Sequence, residues 1–407
     1  MAINISRLKS DIEHLSTIGR TENGITRSAF SAPEMEARAW LKSRMEEAGL
    51  QVRVDGAGNI RGRLVCENDN TVVACGSHID TVNCGGHLDG ALGVLAGLEA
   101  LRSLKESGVA LSHPVEVIAF SDEEGRFGGM LGSRAFAGML TQDDIQSAVD
   151  VNGMALAQCM SDQGFDPSEA LSAKEKAKNL KAFVELHIEQ GPVLEKSQIP
   201  IGVVDAITGL FKWEVTLRGQ ANHAGTTPMD MRRDAFQGLA VFSVQIDDIL
   251  KKHGSSSSKT TIGKVGVFPG SPNVVPGACV FTLEVRDTDQ ALLDSLDGVY
   301  RDALERMAQE RDLELSVREL SRIKATPCDP EIVAAISAVA EKKGIPAMVM
   351  PSGAAHDAQN MAKLTKTGMI FVPSINGISH SPKEDTAMED IQKGAEVLCA
   401  VLQELAE

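Results

Sequence analysis

The sequence predicts an α/β protein in which helices cover a mixed β-sheet, with a smaller α+β domain inserted into it. Up to residue 206, short apolar runs rich in β-branched residues alternate with helical segments, which is typical of a sheet covered on both faces. Over 207–322 the order becomes β-α-β-β-α-β, the ferredoxin-like pattern, and from 323 the first pattern resumes. We therefore expect one discontinuous domain, 1–206 with 323–407, and an inserted domain at 207–322.

The elements of the discontinuous domain follow from apolar periodicity and helix-end signals. SAPEMEARAWLKSRMEEAGL predicts a helix, because Ser31 and Glu34 form a potential capping box and Gly49 follows its end. A second helix is predicted in ALGVLAGLEALRSLKES, which precedes Gly108. Strands are predicted in QVRVD, NIRGRLV, TVVACGSH, PVEVIAFS and KAFVELHIEQG.

The inserted domain and the C-terminal part are assigned in the same way. In the insertion, strands are predicted in LFKWEVTLRG, KTTIGKVGVF, ACVFTLEVRD and ELSVREL, with helices over Met231–His253 and Gln290–Arg311. After it, PEIVAAISAVAEKKG predicts a helix, PAMVMPSG and GMIFVPS predict strands, and a last helix is expected from Lys383 to the end.

Composition excludes several classes of function. There are 56 acidic and 40 basic residues, and the net charge of −16 repels phosphate backbones and anionic lipid, so neither nucleic acid nor membrane is an expected partner. No apolar run reaches the length of a membrane span, and the N-terminus lacks the apolar stretch of a signal peptide. Seven scattered cysteines without a CxxC pair indicate thiols in a reducing compartment, so we expect a cytoplasmic protein.

The stretch GSHIDTVNCGGHLDG, residues 76–90, concentrates metal-ligand side chains in a glycine-rich loop. A strand is predicted to end at His78, and Asp80 lies two residues on, where its carboxylate can accept a hydrogen bond from the far ring nitrogen of His78. Gly85 and Gly86 permit a tight turn that brings Asp89 to the start of the next helix. The alternative is a polar loop in which Asp89 caps that helix.

Further candidate ligands also follow predicted strands. Glu123 and Glu124 are adjacent in an extended segment, so they point in opposite directions, and one can bind metal while the other moves protons. A solvated acidic turn is the alternative for that pair, and a satisfied core or loop histidine is the alternative for His187 and for His380. Taken together, carboxylates and three histidines at strand ends suit a pair of borderline divalent ions, held about 3.5–4 Å apart by a shared carboxylate.

The chain resembles the carbamoylase and ureido-amidohydrolase branch of the dinuclear zinc hydrolases of the aminoacylase and carboxypeptidase type, and the metallopeptidase-like sheet of that group is the expected fold. The element HIEQGP separates this branch from the peptidases of the wider group. The motifs that carry the resemblance run in family order from about residue 76 to 386: GSHIDTVNCGGHLDG, DEEGRFGGMLGSRAFAG, ELHIEQGPVLE, GQANHAGTTPMDMRRDA, PGSPNVVPG, LEVRDTD, SGAAHDAQNMA and SINGISHSPKED.

The resemblance implies roles for these side chains. Five ligands would hold two divalent metal ions per subunit: Asp89 between the ions, His78 and His187 on one ion, and Glu124 and His380 on the other. Glu123 would be the general base, and Asp80 would orient His78. Zinc is the first expectation, with manganese, cobalt or nickel as alternatives.

The inserted domain would complete the site. In the family, the histidine of GQANHAGTTP, here His223, reaches the active site of the other subunit and stabilises the developing oxyanion, which implies a homodimer. Gln190 and His356, which lie in the discontinuous domain, are also expected to face the substrate.

Two residues of the inserted domain are implied to bind the substrate. The resemblance implies that Asn273 binds polar groups of the substrate and that Arg286 binds its carboxylate. The guanidinium fork of Arg286 can donate two parallel hydrogen bonds to a carboxylate. The alternative for Arg286 is a surface ion pair with Asp287 or Asp289.

The expected activity is hydrolysis of the linear C–N amide of a ureido (N-carbamoyl) group on an L-amino acid or related carboxylate, by a metal-activated water with Glu123 as general base. Allantoate amidohydrolase or ureidoglycolate hydrolase is the first alternative, and an N-acyl-amino-acid deacylase or aminopeptidase is the second. A non-catalytic binding protein on the same fold is the alternative from another class. It would be expected to lack the base or a ligand, and all of them are present.

Overall fold

The computed structural model describes residues 3–67 and 71–407. In chain order the strands among them are β1 Arg20–Thr21, β2 Gly24–Ile25, β3 Gln51–Val54, β4 Ile60–Leu64, β5 Val72–His78, β6 Val115–Phe120, β7 Leu180–Ile188, β8 Ile201–Ile207, β9 Gly209–Arg218, β10 Asn222–His223, β11 Lys259–Thr261, β12 Val265–Phe268, β13 Val274–Val275, β14 Ala278–Asp287, β15 Glu314–Ile323, β16 Thr326–Pro327, β17 Ala347–Ser352 and β18 Lys366–Val372.

The α-helices among the same residues are α1 Ile5–Leu15, α2 Ala32–Glu47, α3 Ala91–Ser107, α4 Leu131–Phe136, α5 Gln142–Ser147, α6 Leu156–Asp162, α7 Val193–Ser197, α8 Ala235–Ser243, α9 Ile246–His253, α10 Gln290–Glu310, α11 Pro330–Lys342, α12 Ala358–Met361 and α13 Met388–Ala406.

The chain divides into two compact units. Unit 1 runs to Asp205 and continues over Cys328–Met350 and His356–Glu407, and unit 2 comprises Ala206–Pro327 with Pro351–Ala355. The sequence places the corresponding boundaries at 206/207 and 322/323.

Unit 1 is built on a mixed sheet whose order includes β8-β18-β7-β5-β6-β4-β3. Strands β18, β7, β5 and β6 pair in parallel, and β8, β4 and β3 pair antiparallel to their neighbours. β5 and β6 are buried along their whole length, as their continuous apolar sequences predict for strands covered on both faces. The predicted mixed α/β fold is confirmed, and the carboxyl ends of the parallel strands share one edge of the sheet.

Helices on the sheet decide which strand residues face the site. α3 and α13 pack against each other and against β5 and β7, and α3 is buried from Ala91 to Leu104. Ala182, Val184, Leu186 and Ile188 of β7 belong to the same apolar core as these two helices. Because strand side chains alternate, Glu185 and His187 project from the opposite face of β7.

Unit 2 has its own antiparallel sheet, in the order β11-β14-β9-β15, with β12 also paired to β14. With β11 and β12 taken as one interrupted strand, this is the β-α-β-β-α-β connectivity that the sequence predicts. Residues of β9 and β14 alternate between buried and half-buried, and α8 and α10 pack against both strands. The sheet therefore has one face under helices and one more open face, while its role in dimerisation stays a prediction.

Two predicted helices have different bounds. The segment Met231–His253 forms two helices, α8 and α9, and α8 begins late because the Asp234 carboxylate accepts the N–H groups of Phe236 and Gln237. Both helices pack against α10. The last helix begins at Met388 rather than Lys383, because the chain before it is a loop that buries a glutamate.

The predicted strand KTTIGKVGVF is interrupted by a β-bulge. Thr261 pairs with Glu284 and Val265 pairs with Phe281, so four steps along one strand match three along the other. One extra residue therefore separates β11 from β12.

The predicted capping box of α2 forms only in part. The Ser31 hydroxyl accepts the N–H of Glu34 at 3.4 Å, as predicted. The Glu34 carboxylate accepts the N–H of Phe30 at 3.1 Å and pairs with Arg38 at 3.0 Å, so it does not return to the main chain of Ser31. A buried arginine within reach outweighs the local reciprocal bond.

Within the described residues, no helix combines the length and the apolar character that crossing a bilayer requires. None of the seven cysteines forms a disulfide.

Candidate metal centre

The loop from β5 to α3 carries the first candidate ligands. Positive φ angles fall at Cys84 (φ 57°) and Gly90 (φ 64°), whereas Gly85 and Gly86, the two glycines expected to permit a tight turn, do not have positive φ. Gly86 instead leaves space, since a Cβ there would lie 2.2 Å from Oε1 of Glu384.

Gly90 directly precedes α3 and packs against two histidines of the site. A Cβ at this position would lie 2.3 Å from Nε2 of His78, and the N–H of Gly90 donates to Nε2 of His187 at 3.1 Å. Gly90 is also the N-cap of α3, without any side-chain cap. The alternative in which Asp89 caps the helix is therefore wrong, and its carboxylate faces the histidines.

Asp89 lies at the centre of the cluster and is buried. Its Oδ1 lies 3.2 Å from Nε2 of His187 and 3.6 Å from Nε2 of His78. Its Oδ2 lies 3.3 Å from Nε2 of His380. The two oxygens of one carboxylate thus face different histidines.

Glu124 adds a second carboxylate beside His380. Its Oε2 lies 3.5 Å from Nε2 of His380, and its Oε1 is buried and has no hydrogen-bond partner among the residues that the structure describes. The structure brings all five predicted ligands together, and their ligand atoms fall within 4.8 Å of one another in two groups that share one residue: His78, Asp89 and His187, and Asp89, Glu124 and His380.

Two histidines are oriented by main-chain carbonyls. Nδ1 of His78 lies 3.0 Å from the carbonyl of Asp80, and Nδ1 of His187 lies 2.9 Å from the carbonyl of Ile188. A carbonyl can only accept, so each Nδ1 carries a hydrogen and each Nε2 is the ring nitrogen that faces the cluster. Burial lowers the pKa of His187, but the hydrogen bond to Asp89 more than offsets this and the pKa is raised to about 9, so this ring must lose a proton before Nε2 can bind a metal. Burial lowers the pKa of His78 to about 4, which keeps its ring neutral, as a metal ligand must be.

Asp80 acts differently from the expectation. Its carboxylate lies 3.6 Å from Nδ1 of His78, so the hydrogen bond that orients His78 comes from the Asp80 main chain. The carboxylate accepts the N–H groups of Glu123 at 3.3 Å and Glu124 at 3.1 Å. Asp80 therefore joins the β5 loop to the turn after β6.

The electrostatics of the cluster call for a cation. Burial raises the pKa of Glu123 well above its usual range, and the carboxylates of Asp357 and Glu124 raise it further. Burial and then Asp89 raise the pKa of Glu124 to about 8. The hydrogen bond to Asp89 raises the pKa of His380 to about 9. Crowded negative charge makes these groups take up protons, and divalent cations can replace those protons.

The donor set fits borderline divalent ions. Imidazole nitrogens and carboxylate oxygens in a mixed set are the ligands of zinc and of its first-row neighbours. Oε1 of Glu124 is a buried acceptor that no donor among the described residues satisfies, and a bound cation would satisfy it.

Glu123 lies beside the ligands rather than among them. Its Oε2 is 3.6 Å from Nε2 of His78, and neither ligand group includes Glu123. This position suits a carboxylate that moves protons.

Gln190 and His356 also lie in the cluster. Nε2 of Gln190 donates to Oδ2 of Asp89 at 2.7 Å, while its Oε1 is buried and accepts no hydrogen bond within 3–67 and 71–407. The ring of His356 is buried with its centroid 4.6 Å from that of His187. Glu185 forms a further group with these two histidines, and its carboxylate accepts a hydrogen bond from the Ser77 hydroxyl at 2.6 Å.

Sequence reasoning missed Glu185 and Glu384. Glu185 lies two residues before His187 and so on the same face of β7, which is a signal that could have found it. Glu384 lies four residues after His380 in HSPKED, and only its burial reveals that it belongs to the site.

The remaining predicted residues belong to unit 2. His223 in β10 is exposed and pairs with Val274 of β13, and the carbonyl of Asn273 accepts the N–H of Ala224 at 2.9 Å. His223 in β10 and Asn273, which directly precedes β13, are therefore neighbours.

Arg286 lies on β14 of unit 2. Its Nε donates to Glu284 at 2.7 Å and its Nη1 donates to the carbonyl of Gly353 at 2.8 Å. The ion-pair partner is thus Glu284, and the alternative pairing with Asp287 or Asp289 is wrong.

Three comparisons place the chain among known proteins. The profile described as Peptidase family M20/M25/M40 matches residues 74–404. An N-carbamoyl-L-amino acid amidohydrolase of Geobacillus stearothermophilus is 41% identical over 406 residues, 98% of each chain. An allantoate amidohydrolase of Escherichia coli K12 is 39% identical over 404 residues, 98% of this chain and 97% of that protein. The crystal structure of a hydantoinase/carbamoylase family amidase from Burkholderia multivorans superposes with a TM-score of 0.92 at 36% identity, covering 100% of this chain and 98% of that one.

Substituting the glycines at the two ends of α3 separates backbone strain from a clash at the site. Gly90 (φ 64°, ψ −48°) and Gly108 (φ 66°, ψ 19°) both have positive φ, but only Gly108 is in the left-handed helical region, and a Cβ there would meet nothing within 4 Å among the described residues. We expect Gly108→Ala to cost about 1–2 kcal/mol of unfolding free energy from strain alone. Gly90→Ala should cost more and should also lose bound metal, because His78 must move.

Urea unfolding of chelator-treated protein measures the first effect, and elemental analysis of metal-loaded protein measures the second. Equal stability and equal metal content in the two variants would contradict this account of Gly90.

Proposed function

Because the chain belongs to peptidase family M20/M25/M40, we propose that it is a metal-dependent amidohydrolase of ureido compounds. It cleaves the linear C–N amide of an N-carbamoyl group on an L-amino acid or a related carboxylate. The observation that carries the proposal is the position of Asp89, whose two oxygens face separate histidines, with Glu123 beside them. The names of the Geobacillus and Escherichia coli relatives support the ureido substrate class.

The five ligands would hold two divalent ions, with zinc first and manganese, cobalt or nickel as alternatives. His78 and His187 would serve one ion, Glu124 and His380 the other, and Asp89 both. Bound there, such ions supply Lewis acidity, which polarises a carbonyl and lowers the pKa of water.

Glu123 moves the proton in this proposal. A buried carboxylate with a raised pKa can take a proton from the attacking water and later release it. A bond forms between the water oxygen and the ureido carbon, the bond from that carbon to the amino-acid nitrogen breaks, and Glu123 passes the proton to this nitrogen. The carbamate that is left decomposes to carbon dioxide and ammonia.

Substrate recognition is assigned to four side chains. Gln190 has a buried carbonyl oxygen without a partner, which suits an N–H of the ureido group. His356 lies against His187. Asn273 would bind polar groups, and Arg286 would bind the substrate carboxylate through its guanidinium fork.

We further propose a homodimer in which His223 serves the site of the partner subunit and stabilises the oxyanion. Its exposure in unit 2 supports this, because the side chain is available to another chain. The cytoplasmic location stays a prediction.

A second candidate is hydrolysis of allantoate, which the Escherichia coli relative favours. Ureidoglycolate, simple N-acyl amino acids and peptides are the further substrates that the assay below compares. The family and the relatives make the chain a hydrolase, so the non-catalytic alternative is not retained.

An ammonia-release screen of metal-loaded enzyme tests the proposal, with N-carbamoyl-L-amino acids, allantoate, ureidoglycolate and 3-ureidopropionate as substrates. For N-acyl amino acids and dipeptides, release of the free amino acid is measured. We expect ureido compounds to be the best substrates. Glu123→Gln should keep its metal but lose about 10²–10⁴-fold in turnover, since the amide cannot accept the proton. Activity on peptides alone, or unchanged turnover in Glu123→Gln, would refute the assignment.

Arg286 is tested with the matched pair Arg286→Lys and Arg286→Ala. Lysine keeps the charge but loses the fork, so kcat/KM for a carbamoyl amino acid should fall less than in the alanine variant. Loss of the charge-assisted pair between Arg286 and the substrate carboxylate should cost about 2–5 kcal/mol of transition-state binding. The carboxamide analogue should be a poor substrate even for the unmodified enzyme. Equal kinetics for carboxylate and carboxamide would leave Arg286 as the ion-pair partner of Glu284.

Subunit complementation tests the role of His223. Glu123→Gln and His223→Ala chains are each expected to be inactive, but a mixed dimer has one site with both groups intact. Activity should therefore reappear on mixing, to at most about half of the unmodified level per mixed dimer, a fraction set by symmetry. Subunit exchange verified by mass spectrometry without recovered activity would show that each site uses its own His223.

A further inference from the structure

We propose that Glu384 is a positioning residue that holds the two ligand loops of the metal centre together and so sets the place of His380 relative to Asp89. The inference rests on the proposed metal site but not on the substrate. Glu384 is 1% exposed, lies outside both ligand groups and has no role in the mechanism above.

Each oxygen of the Glu384 carboxylate serves one loop. Oε1 accepts the N–H groups of Leu88 at 2.9 Å and Asp89 at 3.0 Å. Oε2 accepts the hydroxyl of Ser379 at 2.9 Å and the N–H of His380 at 3.2 Å. Because the two oxygens are joined by one rigid planar group, the spacing of the two loops follows from the spacing of these oxygens.

Gly86 provides the space for this carboxylate. A Cβ at position 86 would lie 2.2 Å from Oε1 and 2.3 Å from Cδ of Glu384. The backbone of Gly86 is not left-handed, so its lack of a side chain is explained by the glutamate rather than by its conformation.

His380 depends on Glu384 more than the other histidines do. Its φ is 54°, a left-handed conformation that a non-glycine residue adopts only when its surroundings impose it, and its side chain is 51% exposed. His78 and His187 are buried, and their rings are held by main-chain carbonyls. Loss of Glu384 should therefore loosen the group of Asp89, Glu124 and His380 before the other group.

The variant Glu384→Gln makes this difference measurable. The amide oxygen can still accept from Leu88 and Asp89, but the amide nitrogen then faces the N–H of His380, donor against donor. The opposite orientation would set the amide nitrogen against two N–H groups, so it is the worse of the two. The substitution thus removes support from the His380 side while keeping the shape of the side chain.

The experiment is equilibrium dialysis of chelator-treated protein against buffered free zinc, with bound ions counted by elemental analysis. The unmodified chain should bind two ions. At a free zinc concentration at which the unmodified chain binds two ions, Glu384→Gln should bind one. The affinity of the second site should fall about 10–100-fold, as it does when other groups that orient metal ligands are changed. Raising free zinc by the same factor should restore the second ion and the activity, which a misfolded variant would not show.

Glu99→Gln is the matched control. Glu99 is also fully buried, but its carboxylate pairs with Arg7 and accepts from Ser103 of its own helix, so this variant should still bind two ions with unmodified affinity. If Glu384→Gln fails to fold by circular dichroism, Gly86→Ala takes its place. The added methyl would lie 2.3 Å from Cδ and 2.4 Å from Cβ of Glu384, so the whole side chain must move, which withdraws Oε2 from the N–H of His380 and should weaken the second ion.

Two ions bound with unmodified affinity in the folded variant would overturn the role of Glu384, as would equal weakening of both sites. If the unmodified chain bound no divalent ion, the proposed function would fail instead, so the two failures are distinguishable.

Discussion

The burial of negative charge around Asp89 is the constraint on which the rest of the site depends. Asp89, Glu123 and Glu124 are crowded in a water-poor interior, where like charges repel strongly and each carboxylate loses its hydration. Such a group persists only if the fold supplies hydrogen bonds and positive charge. The rings of His187 and His380, whose pKa values are both raised to about 9 by hydrogen bonds with Asp89, supply part of that, and divalent ions would supply the remainder.

The sheet meets this constraint by its topology. β5, β6 and β7 end at one edge, so the residues that follow β5 and β6 and the end of β7 converge without long connections. Two braces then tie separate loops together. The Asp80 carboxylate holds the main chain of Glu123 and Glu124, and the Glu384 carboxylate holds the loops of Asp89 and His380. Both braces are negative side chains that accept main-chain N–H groups, so they position ligands without competing for the cation.

The geometry also suits the proposed division between metal binding and proton transfer. Glu124 faces His380, whereas Glu123 faces His78 and stands outside both ligand groups, so adjacent residues of one turn have different surroundings. A carboxylate beside the ions, rather than bound to them, can exchange protons with water and with a leaving nitrogen.

The sequence by itself determined most strands of the main sheet and the residue types of the candidate metal centre, because periodicity, strand-end position and short motifs are local properties. It did not predict strand β8 of that sheet or helix α1. Only the tertiary structure decided that the Asp80 carboxylate braces Glu123 and Glu124 and that Gly86 makes room for Glu384. These features depend on residues far apart in the chain, such as the pair Asp89 and Glu384, which are 295 positions apart. Local patterns carry no record of such contacts, since burial and donor geometry at one loop are set by whichever distant segment packs against it.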